Sequence, residues 1–262
     1  MKLFKPQAAF SVLAGALALA GCSARSEARQ DGSRLIVFLD QTASIDAPQR
    51  AAWVKEATGL TRRLTGGSSV TIYAIHDRTM DAAPLFEADI PEMKDDATLD
   101  ESHAAHLALV RARDGARAAI AKGLEAGAAP QTDIFSTIDR VEPDLLRRPT
   151  VIVYFSDMLN STPDLNMEVP GAIRRPDISR KLQDLARRHY WQPSQLAGDQ
   201  VYCVLNSIES GGRGPAVDRL IQRAFYDALF QAVGAHLLSY ETRLAGPILS
   251  SAVPGGSYVV SR

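Results

Sequence analysis

The sequence predicts an α/β fold, an open and mostly parallel sheet of six strands with helices packed on both faces. Three features predict it. Uninterrupted apolar runs indicate strands buried on both faces, stretches with apolar residues at helical spacing indicate helices, and the two alternate along the chain. The 262 residues are 46% hydrophobic and 23% charged, a globular composition that excludes a disordered or fibrous protein.

The predicted fold begins with a strand and a helix. The apolar run Leu-Ile-Val-Phe-Leu at 35–39 predicts a buried strand that ends at Asp40. A helix is expected next, because Asp46 can cap its first turn, Pro48 suits that turn, and apolar residues then repeat on one face.

The next elements are two further strands. Gly66-Gly67 ends the helix, and the run at 70–75 predicts the second buried strand. Residues 84–90 begin with a proline, which cannot donate a backbone hydrogen bond and therefore suits an edge strand. We expect this short strand to form a hairpin with the second one, which gives the sheet one antiparallel edge.

The middle of the chain predicts two helices and a third buried strand. Residues 98–127 are rich in alanine and have apolar positions at helical spacing. The same spacing predicts a helical stretch over 132–146, with a break at Pro143, and the run at 151–155 predicts a strand. The segment 158–176 holds three prolines and is expected to be a long loop.

The last third continues the alternation. Its expected elements are a helix at 178–189, a strand at 201–205 that buries Cys203, a helix at 217–233 and a strand at 237–244. Right-handed connections would bring the carboxyl ends of the parallel strands to one edge, the edge where ligands bind in Rossmann-like, three-layer sandwiches of this kind.

The N-terminus has the layout of a secretory signal. Lys2 and Lys5 precede an apolar run at 8–20, and Leu-Ala-Gly-Cys at 19–22 resembles the bacterial lipobox. The resemblance implies cleavage before Cys22 and lipid attachment to it. A serine at the next position implies the outer membrane, with the domain facing the periplasm. An ordinary signal peptide or an uncleaved anchor is the alternative.

These boundaries divide the chain into four parts. We expect a signal peptide at 1–21, a lipidated cysteine and flexible tether at 22–33, one domain at 34–245 and a tail at 246–262. The tail is rich in Gly, Pro and Ser, with room for a short strand at 258–260.

The overall charge argues against a nucleic-acid partner. The chain has 29 Lys and Arg against 30 Asp and Glu, a net charge of −1, so it lacks a general basic field. Only 6% of the residues are aromatic, which disfavours a surface on which bases stack.

Oxygen-bearing side chains lie at the predicted ligand-binding edge. The sequence Asp40-Gln-Thr42-Ala-Ser44 follows the first buried strand, Thr132 lies at a predicted helix start, and Asp157 follows the strand at 151–155. A small hard cation prefers carboxylate, hydroxyl and water oxygens in near-octahedral geometry, and these residues can supply them with one position left open. The absence of Cys and His from the group disfavours zinc.

This pattern resembles the metal-ion-dependent adhesion site (MIDAS) of von Willebrand factor A (VWA) domains. That family has Asp-x-Ser-x-Ser after the first strand, a Thr in a middle loop and an Asp after the fourth strand. The matching residues here are Asp40, Thr42, Ser44, Thr132 and Asp157. Thr42 replaces the usual serine and keeps the hydroxyl, whereas Ala-Pro-Gln at 129–131 stands where the family often has Gly-Gly. By element order the resemblance covers about residues 33–245.

The resemblance implies a function without catalysis. Mg²⁺ (or Mn²⁺) would be held by the protein oxygens, and its open position would accept a carboxylate from a partner protein. Thr42 and Ser44 would contact the metal directly, Asp40 and Asp157 directly or through water, and Thr132 would switch with ligand state. The chain is then expected to be a membrane-anchored binding module and not an enzyme.

Two other classes of function stay open. An envelope-complex scaffold lipoprotein would keep the fold without using the metal site. A metal-dependent hydrolase of the haloacid dehalogenase type would need a second Asp where Thr42 stands, and no Gly-x-Ser-x-Gly elbow supports a serine hydrolase.

A glycine-rich turn at 211–214 lies between a predicted strand and a helix on the same edge. It lacks the Gly-x-Gly-x-x-Gly and P-loop patterns, so a plain flexible turn is favoured over a phosphate cradle. Arg213 within it is a candidate for steering an acidic partner.

Overall fold

The computed structural model describes residues 32–126, 129–142, 144, 146, 148–206, 218–244 and 248. The strands within them are β1 (Arg34–Asp40), β2 (Ser69–Ile75), β3 (Phe86–Asp89), β4 (Thr150–Phe155), β5 (Ser161–Thr162), β6 (Leu165–Asn166), β7 (Gln200–Val204) and β8 (His236–Glu241). The helices are α1 (Ala47–Thr61), α2 (Leu99–Glu125), α3 (Phe135–Asp139), α4 (Ile178–His189) and α5 (Arg219–Ala232).

Six of the described strands form one sheet in the order β3-β2-β1-β4-β7-β8. All neighbours in it are parallel except β3, which runs antiparallel to β2 at one edge. This confirms the predicted fold class, a mostly parallel sheet with one antiparallel edge strand. Strands β5 and β6 form a separate small hairpin.

Helices cover both faces of the sheet, as its buried strands require. Alternate residues of β1 point to opposite faces, so Leu35 and Val37 pack with α1 and α2 while Ile36 and Phe38 pack with the layer of α3, α4 and α5. Burial of every residue from Leu35 to Leu39 explains why this strand is apolar without alternation.

The register of the central strands places the candidate ligands side by side. β1 and β4 are parallel neighbours, and Leu39 lies opposite Phe155. The next residues along each strand, Asp40 and Ser156, therefore emerge together at the carboxyl edge of the sheet.

The helical stretch predicted over 132–146, with a break at Pro143, is much shorter in the structure. Among its described residues only α3 (Phe135–Asp139) is helical, and after it the N–H groups of Arg140 and Val141 donate to carbonyls three residues back. Pro143 explains the short helix, because a proline disfavours helical conformation of the residue before it and clashes with the preceding turn. The Glu142 carbonyl instead accepts a hydrogen bond from the Arg34 guanidinium.

Two other segments differ in detail from the predictions. The loop at 158–176 contains the β5–β6 hairpin, and Asn160 stabilises it by donating to the Thr162 hydroxyl at 2.9 Å and to the Leu165 carbonyl at 2.8 Å. Strand β8 ends at Glu241, three residues earlier than expected.

Cys203 lies buried in β7 as an unbonded thiol, as predicted. Within the described residues, no helix is long and apolar enough to span a membrane. The predicted signal peptide, Cys22, most of the tether, the strand at 258–260 and nearly all of the tail lie outside the described residues.

Candidate metal centre

Asp40 is the innermost carboxylate of the site. It is the last residue of β1 and has no exposed surface. Its Oδ1 accepts hydrogen bonds from the Thr42 backbone N–H at 2.9 Å and from the Thr42 hydroxyl at 2.7 Å. Its Oδ2 accepts from the Ser156 hydroxyl at 2.6 Å, so the loop after β1 and the end of β4 hold the same carboxylate.

The contacts continue from Thr42 to the second carboxylate. Thr42 Oγ1 and Ser44 Oγ are 2.9 Å apart, and the Ser44 hydroxyl donates to Asp157 Oδ2 at 3.1 Å. The other oxygen of Asp157 accepts from the Leu159 backbone N–H at 2.9 Å. Four of the five predicted ligands thus form one continuous row of side-chain oxygens.

Thr132 comes three residues after Ala129, which pairs with the loop that follows β1. Residue Ala129 forms a parallel bridge with Thr42, and Ala43 donates its N–H to the Ala129 carbonyl at 3.3 Å. The Thr132 backbone exchanges hydrogen bonds with Ser161, donating to its hydroxyl at 2.8 Å and accepting its N–H at 2.9 Å. Among the described residues the Thr132 side chain makes no hydrogen bond to the other four, and its role as a ligand stays a prediction.

The row of oxygens has fewer protons than contacts. Thr42 and Ser44 each carry one hydroxyl proton, and both hydroxyls donate to carboxylates. With both carboxylates ionised, no proton is left for the 2.9 Å contact between the two hydroxyl oxygens. A proton on one carboxyl or a cation bound between these oxygens would each make up this deficit.

The pKa values of both carboxyls are raised. Burial, together with the charge of Asp40, raises the pKa of Asp157 to about 7. Burial also raises the pKa of Asp40, and hydrogen bonds from Ser156 and Thr42 oppose that shift. Among the described residues neither carboxylate forms a direct ion pair with Lys, Arg or His, and the charge of Arg50 only partly opposes the rise in the pKa of Asp40.

The donor set fits Mg²⁺ or Mn²⁺. Two carboxylates and two hydroxyls are adjacent, and oxygen ligands of this kind are those that hard divalent cations prefer. Within the described residues no group of three or more His, Cys, Asp or Glu is placed to hold a metal.

The loop between β1 and α1 is held against α2 by two side chains that the sequence analysis missed. Arg50 donates to the carbonyls of Ile45 at 2.9 Å, Thr42 at 2.8 Å and Leu124 at 2.9 Å. Gln41 donates to the Gly123 carbonyl at 2.8 Å. Because the Gly123 and Leu124 carbonyls belong to the last turn of α2, these contacts join the carboxyl end of that helix to the loop that carries Thr42.

Ser156 is a further residue of the site to which the sequence analysis assigned no role. It is fully buried, donates to Asp40 and accepts the Met158 N–H at 2.9 Å. Its position directly after a buried strand and before an acidic residue is the signal that could have identified it. Arg213, the candidate steering residue, lies outside the described residues.

No protein-family model matches this sequence, and no curated protein matches it. Among solved structures it is similar to a von Willebrand factor type A protein from Catenulispora acidiphila, at 12% identity and a TM-score of 0.44. That likeness covers 80% of this chain and 38% of the other, so this chain spans well under half of that protein.

Two further solved structures are similar at the same level. The conserved hypothetical protein BatB from Bacteroides thetaiotaomicron has 12% identity and a TM-score of 0.38, over 80% of this chain and 91% of that one. The manganese-loaded TRAP protein of Plasmodium vivax has 11% identity and a TM-score of 0.36, over 75% and 63%. Likenesses this distant transfer no activity, ligand or partner to this chain.

Proposed function

We propose that the chain is a VWA-type binding module that holds Mg²⁺ or Mn²⁺ at Asp40, Thr42, Ser44, Thr132 and Asp157. When bound, the ion would supply a positive centre with an open position for a carboxylate of a partner protein. The observation that carries the proposal is the row of four side-chain oxygen groups with one proton too few, from Asp40 through Thr42 and Ser44 to Asp157.

The chain's own residues would prepare that position. Asp40 is held from both sides by Thr42 and Ser156, so the ion would meet a carboxylate that is already fixed. Ser44 is the exposed member of the row, whereas Asp40, Thr42 and Asp157 are buried. A partner carboxylate would therefore approach from the side of Ser44.

The proposal favours binding over catalysis. The hydroxyls of Ser44 and Ser156 donate to carboxylates of the row and are not arranged as a nucleophile with a histidine base. In a hydrolase the open position on the cation would hold the substrate or the attacking group, whereas in the binding module it holds the partner's carboxylate.

We further propose that the domain is tethered to the bacterial outer membrane through lipid on Cys22 and faces the periplasm. The tether joins β1 at Arg34, and Asp40 lies at the other end of this seven-residue strand. At about 3.3 Å per residue, β1 separates the tether from the site by roughly 20 Å. The cation site would thus lie at the end of β1 opposite the tether, where a partner can reach it.

Calorimetry on the full-length, metal-free protein in detergent tests the proposal. We expect saturable Mg²⁺ and Mn²⁺ binding that Ser44→Ala weakens and Asp40→Ala abolishes. Ser179→Ala, at an exposed serine of α4, is the matched control and should bind as wild type does. A folded wild-type protein that binds neither cation, or a Ser44→Ala variant with unchanged affinity, would contradict the proposal.

A second experiment addresses the partner. Proteins captured from the envelope by the wild type should be lost on addition of a chelator and in Ser44→Ala. Capture that survives both treatments would favour the scaffold alternative, in which the fold is used without the cation.

A further inference from the structure

Met158, the residue after Asp157, has an unusual backbone. Its φ is 58°, in the left-handed region, and its side chain is fully buried. Left-handed backbone is uncommon for a residue that is not Gly, Asn or Asp, and it persists only where neighbouring groups hold it. The strained turn directly follows a predicted metal ligand, so whatever holds it also sets the direction of Asp157.

Two side chains of α5 hold this turn. The Gln222 amide donates to the Asp157 carbonyl at 3.0 Å and to the Met158 carbonyl at 2.8 Å. The Tyr226 hydroxyl donates to the same Met158 carbonyl at 2.9 Å. Both side chains are buried, so water does not compete for these carbonyls.

The turn is also fixed from the side of the carboxylates. The Met158 N–H donates to the Ser156 hydroxyl, which in turn donates to Asp40. The Asp157 carboxylate accepts the Leu159 N–H. The main-chain carbonyls are thus held by α5 while the N–H groups are held by the candidate site, and the turn connects the two.

We propose that Gln222 is a positioning residue for the cation site and that, with Tyr226, it clamps the left-handed turn so that Asp157 faces Ser44. The inference rests on the metal site proposed above. Gln222 suits this task because one amide group has two N–H donors, and here both go to adjacent carbonyls. Methionine has a similar length and no donor.

A purely structural role makes a different prediction. If Gln222 only attached α5 to the sheet, its loss would lower stability and leave cation affinity unchanged. If it clamps the turn, its loss should matter less once residue 158 adopts the left-handed conformation unaided. Glycine enters the left-handed region without the steric cost that Met158 has there, and therefore Met158→Gly separates the two roles.

The test is Mg²⁺ calorimetry on full-length metal-free protein as wild type, Gln222→Met, Met158→Gly and the double variant. Gln222→Met should raise the Kd for Mg²⁺ about tenfold or more, the usual effect of losing a group that orients a ligand. In the Met158→Gly background, Gln222→Met should raise the Kd for Mg²⁺ by about threefold or less. Each effect is measured within one background, so the loss of the Met158 side chain cancels from the comparison.

Two further variants guard against misfolding and general instability. Tyr226→Phe removes one hydrogen bond with little change of shape, and it should weaken Mg²⁺ binding less than Gln222→Met does. Thr61→Val removes a buried hydroxyl at the far end of α1, where it bonds the Thr58 carbonyl, and should leave Kd unchanged. An equal cost of Gln222→Met in both backgrounds, or no cost, would overturn the clamp.

A failure of the proposed metal site can be distinguished from a failure of the Gln222 clamp. A wild-type protein that binds no Mg²⁺ or Mn²⁺ contradicts the proposed function, and the clamp is then judged from urea unfolding of the same four metal-free proteins. A smaller loss of unfolding free energy from Gln222→Met in the Met158→Gly background than in the wild type supports it, and an equal or larger loss overturns it.

Discussion

Ser44 and Asp157 are 113 residues apart in the sequence, yet the Ser44 hydroxyl donates a hydrogen bond of 3.1 Å to the Asp157 carboxylate. The parallel pairing of β1 with β4 brings the two loops together, because each loop begins where its strand leaves the sheet. This contact is the link by which the two candidate carboxylates belong to one site.

Cation binding should stabilise the fold. At a free Mg²⁺ concentration of about 100 times Kd, one site adds about 2.7 kcal/mol to the free energy of unfolding. For a domain of this size that corresponds to a rise in Tm of roughly 5–10 °C. Thermal unfolding followed by circular dichroism, with and without chelator, checks it. Ser44→Ala should show little of the rise, and an equal rise in that variant would place the bound ion elsewhere.

Ser156→Ala should destabilise the protein even without metal. The change removes a 2.6 Å hydrogen bond to buried Asp40 and the acceptor of the Met158 N–H. Leaving buried polar groups unpaired costs about 1–3 kcal/mol. Urea unfolding of the chelated protein measures the loss, with exposed Ser179→Ala as the control. A loss no larger than that of the control would mean that water or another group replaces the Ser156 hydroxyl.

The fold and the two carboxylates could be predicted because their signals are local. The buried run at 35–39 and its polar end at Asp40 lie within a few residues, and so do the run at 151–155 and Asp157. The error at 132–146 is also local in origin, since apolar residues continue at helical spacing on both sides of α3, which begins at Phe135 and ends at Asp139.

The groups that hold the site could not be predicted in this way. Gln222 acts on Asp157 from 65 residues away, and Arg50 acts on Leu124 from 74 residues away. Both donate to main-chain carbonyls, which every residue has, so no residue type in the sequence marks their partners. Only the packing of α5 and α1 against the loops reveals them.

Arg50→Lys should destabilise the loop between β1 and α1 although it keeps the positive charge. The guanidinium reaches three carbonyls at once, those of Ile45, Thr42 and Leu124, and an ammonium cannot match that planar fork. We expect a loss of about 1.5–3 kcal/mol in unfolding free energy. Urea unfolding checks it, with Arg180→Lys at an exposed ion pair of α4 as the control. Equal effects of the two changes would show that charge alone matters at Arg50.

His189 joins two segments that adjoin the candidate site. At the end of α4, its Nδ1 lies 2.9 Å from Asp139 of α3, and its Nε2 lies 3.5 Å from Asp164 in the turn between β5 and β6. Trp191 stacks on the ring and donates to Asp139 at 2.7 Å. Burial disfavours the charged ring, but the hydrogen bond to Asp139 and the charges of Asp139, Asp164 and Asp133 outweigh it and raise the pKa of His189.

This raised pKa predicts a pH-dependent contribution to stability. A histidine whose pKa is higher in the folded state stabilises fully below its unfolded pKa of about 6.5, and that contribution disappears as pH rises through the folded value. His189→Gln should therefore destabilise the protein more at about pH 5.5 than at about pH 8.5. Urea unfolding at both values measures the difference. His106→Gln, at an exposed histidine of α2, is the control and should show a smaller dependence. A cost of His189→Gln that is the same at both pH values would mean that the ring acts there by packing on Trp191 and not by its charge.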